Sequence, residues 1–171
     1  LLWLLLKLPQ GERWENLGLL LTGILLTPVV PSINGRVALL APLTIDMVEI
    51  LKCKTKGPAA TRLAITTFTG ASVLSAVFLS SKSVNFVIYG LLPIQSQAQF
   101  QWLFWFFASA VAGAIMLTFY AVLFVWTQRH KEGHVLAKNQ VAAQLKLLGP
   151  LRNREWSAVL GMGVFMLAVL T

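Results

Sequence analysis

Residues 27–42 read TPVVPSINGRVALLAP, and the reading of this stretch decides the fold. It closes a longer apolar region. Asn16 to Gly35 is charge-free for 20 residues, enough by length alone to cross about 30 Å of hydrocarbon. The second half argues against a simple crossing. Pro28, Pro31 and Gly35 come close together, punctuation that stops a helix rather than continuing it. Polar Ser32 and Asn34 and charged Arg36 stand among them, and Val37 to Ile45 is too short an apolar run to cross before Asp46 and Glu49. Two half-length apolar segments around a polar, helix-breaking tip predict a re-entrant hairpin over residues 16–50. Irregular backbone at membrane depth is tolerated only where it lines a protein cavity. The alternative is an ordinary span kinked by its prolines.

On the N-terminal side, residues 1–15 read as the end of a preceding apolar element followed by an interfacial polar stretch, Pro9 to Glu15, carrying Trp14. On the other side, residues 51–62 are a basic loop. Residues 63–93 begin as a charge-free run to Ser81, pass through a polar knot of Ser80, Ser81, Lys82, Ser83 and Asn85, and turn apolar again up to Pro93. A transmembrane helix broken near its middle fits this pattern. Ile94 to Gln101 is an uncharged polar turn. Residues 102–126 form an unbroken span with aromatics at both ends, as interfacial belts require. Residues 128–155 are a polar basic linker, expected helical from Val135 to Leu148 with an amphipathic face for the membrane surface, and ended by Gly149-Pro150. Residues 156–171 open another span. The chain starts at Leu1 and stops inside an apolar run, so a longer parent protein is expected.

Composition agrees with a membrane protein. Hydrophobic residues make up 57% and charged residues 12%, against roughly 25% charged in soluble domains. Between Lys82 and Arg129 there is no Asp, Glu, Lys, Arg or His. The net charge of +8 does not point to nucleic acid, because the basic residues cluster in loops between apolar segments. Lys52, Lys54, Lys56 and Arg62 form one group; Arg129, Lys131, Lys138, Lys146, Arg152 and Arg154 form another. With a hairpin at 16–50, the broken helix crosses and the 102–126 span crosses back, so both groups fall on one side. The positive-inside rule makes that side cytoplasmic, in the cell inner or plasma membrane. The single cysteine, Cys53, lies in the first basic loop and cannot form an internal disulfide.

A hairpin tip and a broken helix are parts from which secondary transporters build sites. Half-helix N-termini face an anionic substrate, while unwound carbonyls and side-chain oxygens coordinate sodium. Ser32, Asn34 and Gly35 supply such groups at the first tip, Gly35 by letting the backbone turn tightly. Ser80, Ser81, Ser83 and Asn85 supply them at the second. The alternative is that these residues cap their own helices. Arg36 and Lys82 beside the tips are functional candidates as intramembrane charges; a bond to a helix-end carbonyl is the structural alternative. His130 and His134 have the i, i+4 spacing of a metal pair, but a solvated linker is the better reading. No paired carboxylates, nucleophile motif or phosphate loop appears, so enzymatic activity is not expected. A non-transporting membrane subunit or scaffold is the rival reading, with an ion channel behind it.

PSINGRVALLAP (Pro31–Pro42) resembles the Ser-Asn-Thr hairpin tip of the divalent anion:sodium symporters, which is followed there by an alanine-rich half-helix ending in Pro. FLSSKSVNFVIYGLLP (Phe78–Pro93) resembles the broken helix that comes next, and QFQWLFWFFASAVAGAIML (Gln99–Leu117) the span after it. AAQLKLLGPLRNREW (Ala142–Trp156) is similar to the linker between the two inverted repeats. The resemblance implies an all-α integral membrane fold, half of an inverted-repeat secondary transporter. It implies transport of a small divalent anion such as a dicarboxylate, citrate or sulfate, with Na+ as the coupling ion and no organic cofactor. Ser32 and Asn34 take the places of the motif's Ser and Thr, and residues 80–85 those of the second sodium-site segment. The motif's Asn falls on Ile33, which offers no side-chain ligand. The implied partners are membrane lipid, the second repeat of the same protein and a second copy in a homodimer, with an elevator-like movement of the substrate-bearing part.

Overall fold

The computed structural model describes residues 11–54, 56–127 and 153–170, together with Lys7, Pro9, Asn139, Ala142, Ala143 and Lys146. The described residues form helices and turns without a strand. In chain order the helices are α1 (Glu12–Leu26), α2 (Ile33–Ile50), α3 (Pro58–Ser72), α4 (Ser83–Gly90), α5 (Ile94–Gln99), α6 (Trp102–Thr127) and α7 (Asn153–Leu170), with a 3-10 turn at Leu79–Ser81 between α3 and α4.

Several helices begin before their apolar runs do. α1 starts at Glu12, inside the stretch expected to be an interfacial loop. Glu12 and Glu15 lie in its first turn, where the positive end of the helix dipole favours acids. Gly11 leads into it with a φ of 144°, a conformation that suits glycine. α3 starts at Pro58, so residues 58–62 belong to a helix rather than to the basic loop. Proline is well placed there, since the first N–H of a helix has no partner in any case. α2 runs through Pro42 to Ile50, two turns beyond the half-helix that the resemblance implied. Pro42 removes one helical hydrogen bond, but Thr44 and Met47 beyond it are buried and hold the continuation.

α1 and α3 lie side by side and parallel. At their starts, Arg62 Nε donates to Glu12 Oε1 at 2.8 Å. Farther along, Gly23 and Gly70 let the two backbones touch: a Cβ on Gly23 would fall 2.5 Å from the Gly70 carbonyl carbon. α2 runs antiparallel to both. Its Thr44 shares a hydrogen bond with Thr67 of α3 across 2.8 Å, and Met47 and Leu51 close a small core with Leu19 and Leu63. α1 and α2 are thus two arms joined by a turn at residues 27–32, both packed on α3.

The α-helix then gives way to turns and the 3-10 turn from Val73 to Lys82, earlier than the break expected at residues 80–85. α6 returns antiparallel to α3. Trp102 and Trp105 at its start reach Ser80 Oγ and the Ala76 carbonyl, each at 3.1 Å, and Tyr120 farther on reaches Thr66 Oγ1 at 3.3 Å. Most of its side chains, including Phe104, Phe107, Val111, Ile115 and Phe119, remain exposed. Among the described residues α6 is the one helix long and apolar enough to cross a membrane, by length and composition. Where a plain turn was expected after Pro93, α5 forms a short helix, braced by Tyr89 Oη donating to the Gln97 carbonyl at 2.9 Å. The linker region with His130, His134 and the amphipathic stretch lies almost wholly outside the described residues.

The glycine crossing gives a direct test of the packing. A Cβ on Gly70 would sit 2.7 Å from the Leu20 carbonyl oxygen, with no flexible side chain able to give way. Gly70→Ala is therefore expected to lower stability by about 1–3 kcal/mol, the usual cost of overpacking. Gly90→Ala, with nothing within 4 Å of the added carbon, should leave the melting temperature unchanged or slightly raised. Thermal unfolding of the two variants of the full-length protein in detergent checks this.

Candidate functional site

The two tips meet. Arg36 lies on the first turn of α2, fully buried, and its guanidinium reaches across. Nε donates to the Ala71 carbonyl at 2.7 Å and Nη2 to Ser75 Oγ at 2.7 Å. Nη1 donates to the carbonyls of Val30 (2.5 Å), Thr27 (3.2 Å) and Ser81 (3.2 Å). Thr27 and Val30 belong to the first tip; Ala71, Ser75 and Ser81 belong to the end of α3 and the irregular segment. Ser80 adds a second tie, with Oγ donating to the Pro28 carbonyl at 2.8 Å while accepting from Trp102 Nε1. No carboxylate contacts Arg36 among the described residues.

The irregular segment is held open by its own side chains. Asn85 Nδ2 donates to the carbonyls of Ser75 (2.8 Å) and Phe78 (2.9 Å). Ser81 Oγ donates to the same two carbonyls, at 2.9 Å for Phe78. Trp105 Nε1 and Ser109 Oγ take the carbonyls of Ala76 and Val77. Four successive carbonyls that a helix would have satisfied internally are thus met by side chains up to about 30 residues downstream. Buried backbone acceptors need such partners.

The site residues expected from the sequence fall into two groups. Ser80, Ser81 and Asn85 are buried, and their donors are spent on backbone carbonyls. Ser32, Asn34 and Ser83 are exposed at the helix starts. Ser32 is the N-cap of α2, its Oγ accepting from Gly35 N–H at 3.2 Å. Gly35 therefore sits within the first turn of α2; the tight turn itself is made by residues 27–31, so the turning role expected of Gly35 does not hold. That leaves the N–H groups of Ile33 and Asn34 at α2, and of Ser83 and Val84 at α4, without helical acceptors, as at any helix start. The residue at the α4 N-cap is Lys82, which offers no capping acceptor. Ser75 was missed in the sequence because a single serine in an apolar run carries no signal. Trp102 was read only as an interfacial aromatic, and its hydrogen bond to Ser80 was not foreseen.

The family model for the sodium:sulfate symporter transmembrane region matches residues 4–171. The chain belongs to this family. No curated protein and no solved structure matches it. Membership makes the chain part of an integral membrane protein in a family of sodium-coupled anion transporters, rather than of an enzyme class. The resemblance drawn from the tip, the broken helix and the linker agrees with the match.

In this symporter-family chain, the division between buried and exposed polar groups can be measured. Asn85→Ala removes a donor from two buried carbonyls and is expected to cost about 1–3 kcal/mol of stability. Ser83→Ala, at an exposed position, should cost less than about 0.5 kcal/mol. Denaturation of the purified full-length protein distinguishes them, and equal effects would mean the segment is not held as described.

Proposed function

We propose that the full-length protein carries small divalent anions, dicarboxylates such as succinate or malate, citrate or sulfate, across the membrane with sodium, and that this chain supplies the first of two inverted repeats. The observation that carries the reading is the charge around the tips. Lys82, a cation, stands at the N-cap of α4, where Ser, Thr, Asp or Asn is preferred and where the dipole disfavours positive charge. The positive start of α2 is tied to it through Arg36 and Ser81, the guanidinium itself being met by the carbonyls around it. No Asp or Glu occurs between Glu15 and Asp46 or between Glu49 and Glu132 to balance them. An anion bound at the tips relieves this excess.

In this reading Ser32, Asn34 and Ser83, with the unpaired N–H groups beside them, face the substrate. Asn85 holds the second tip in shape behind them, and Gly35 lends its place in the first turn of α2. Sodium is held by oxygens of the tip segments, from the set Ser32, Asn34, Ser80, Ser81 and Asn85. α1 and α2, with 15 and 18 residues, are about 22 Å and 27 Å long. α1 falls short of the ~30 Å hydrocarbon core, and α2, near the lower limit for a crossing, carries Arg36, Asp46 and Glu49, which together favour a re-entrant pair entering from the side of the basic loops. Because Arg36 binds both tips, they move together, in line with an elevator-like shift within a homodimer. Prolines that merely kinked a continuous span, as in a scaffold, would not leave Pro28 and Pro31 in a turn between two antiparallel arms.

Uptake of radiolabelled succinate, citrate and sulfate by the full-length protein in proteoliposomes, with and without a sodium gradient, tests the proposal. Sodium-dependent uptake of at least one is expected. Ser32→Ala combined with Asn34→Ala should lower it about tenfold or more, the effect of one lost hydrogen bond to a charged substrate. Competent vesicles that take up none of the three would favour the scaffold.

A further inference from the structure

The Arg36 guanidinium is surrounded as a metal cation would be. Its Nη1 lies among three backbone carbonyls drawn from both tips, Val30, Thr27 and Ser81, while Ala71 O and Ser75 Oγ receive the remaining contacts. All five partners are neutral oxygens. Thr27 caps the end of α1 and Ala71 lies in the last turn of α3, so two negative helix ends converge here. Unwound carbonyls together with helix C-terminal ends are the donor set by which transporters hold sodium. Here a side chain occupies that position, fully buried and without a carboxylate partner among the described residues.

We propose that Arg36 is a resident cation: its guanidinium fills the oxygen-lined junction of the two tips that a coupling ion would otherwise occupy, so this half of the site carries that charge permanently. The inference rests on the reading of the tips as an anion site. It has two consequences. The tips stay joined whether or not sodium is present, and the sodium dependence of the full-length protein arises at oxygens other than this cage. Removing the guanidinium should open a vacancy that a free cation fills.

The test is the melting temperature of the full-length protein in detergent, in sodium chloride against choline chloride at equal ionic strength. Arg36→Ala is expected to gain a sodium-specific rise in melting temperature larger than any shown by the wild type. Millimolar guanidinium should produce the same rise. In parallel, the slope of log binding constant for labelled sulfate or succinate against log sodium concentration should increase by about one, as linkage to one additional ion requires. An Arg36→Ala protein that responds to sodium no more than the wild type would overturn the proposal and leave Arg36 as a structural clip. If Arg36→Ala does not fold in either salt, Arg36→Lys decides: retaining the charge, it should keep the wild-type sodium response, and a larger response refutes the idea. A wild type that binds neither anion sinks the anion-site reading instead, while the melting comparison still judges the resident cation.

Discussion

Arg36 is the interaction on which the rest of the structure depends. Taking a guanidinium out of water costs several kcal/mol even after relaxation. A hydrogen bond to a charged group returns only about 1.5–3 kcal/mol. One or two such bonds would not offset the burial, so the acceptors must all be in place together. Those acceptors come from the end of α1, the turn after it, the end of α3 and the irregular segment before α4. Burying this one side chain therefore fixes where four pieces of chain stop and how they face one another. The irregular backbone of the tips is the geometry that presents enough carbonyls.

The sequence made the main divisions legible because they rest on local chemistry. Pro28 and Pro31, spaced three apart, mark the stop after α1, and the uncharged, aromatic-rich run of α6 has few other readings. Helix starts were less legible. Glu12 and Pro58 extend α1 and α3 into polar stretches, because acids and proline favour the first turn and a pattern of apolar residues does not register that. The helix through Pro42 depends on burial of Thr44 and Met47 against other helices, which is tertiary information. At the tips the sequence marks out the polar residues, but their division into buried and exposed is not visible in it. Whether Asn85 spends its amide on Ser75 and Phe78 or turns it outward depends on backbone that has already folded around it.

The two ways in which these helices pack have different origins. α1 and α3 meet through Gly23 and Gly70, a close approach driven by van der Waals contact, as is common where lipid removes the hydrophobic advantage of burial. α6 is joined to the irregular segment largely through polar donors on aromatic and small side chains, Trp102, Trp105 and Ser109, with Phe78 ring to ring beside Trp102 and Phe106 at 5.8 and 5.4 Å. Those donors satisfy carbonyls that the broken helix exposes. Irregular backbone that is buried away from water requires such a neighbour, and the first two turns of α6 supply it. The break and the span that follows are thus one structural unit, despite reading as separate segments in the sequence.

Charge balance at the tips bears on which substrate fits. A helix end carries roughly half an elementary charge. The negative ends of α1 and α3 converge on Arg36, and together they come close to offsetting its single positive charge. What remains uncompensated is the positive start of α2, the positive start of α4 and Lys82. These amount to about two positive charges, by the same half-charge rule. A monovalent anion would leave half of that excess unmatched, and a trivalent one would overshoot it. On this argument the guanidinium matters for selectivity because it is already neutralised. It holds the tips in place without adding to the field, so the proposed divalent substrate would answer to Lys82 and the two helix starts rather than to Arg36.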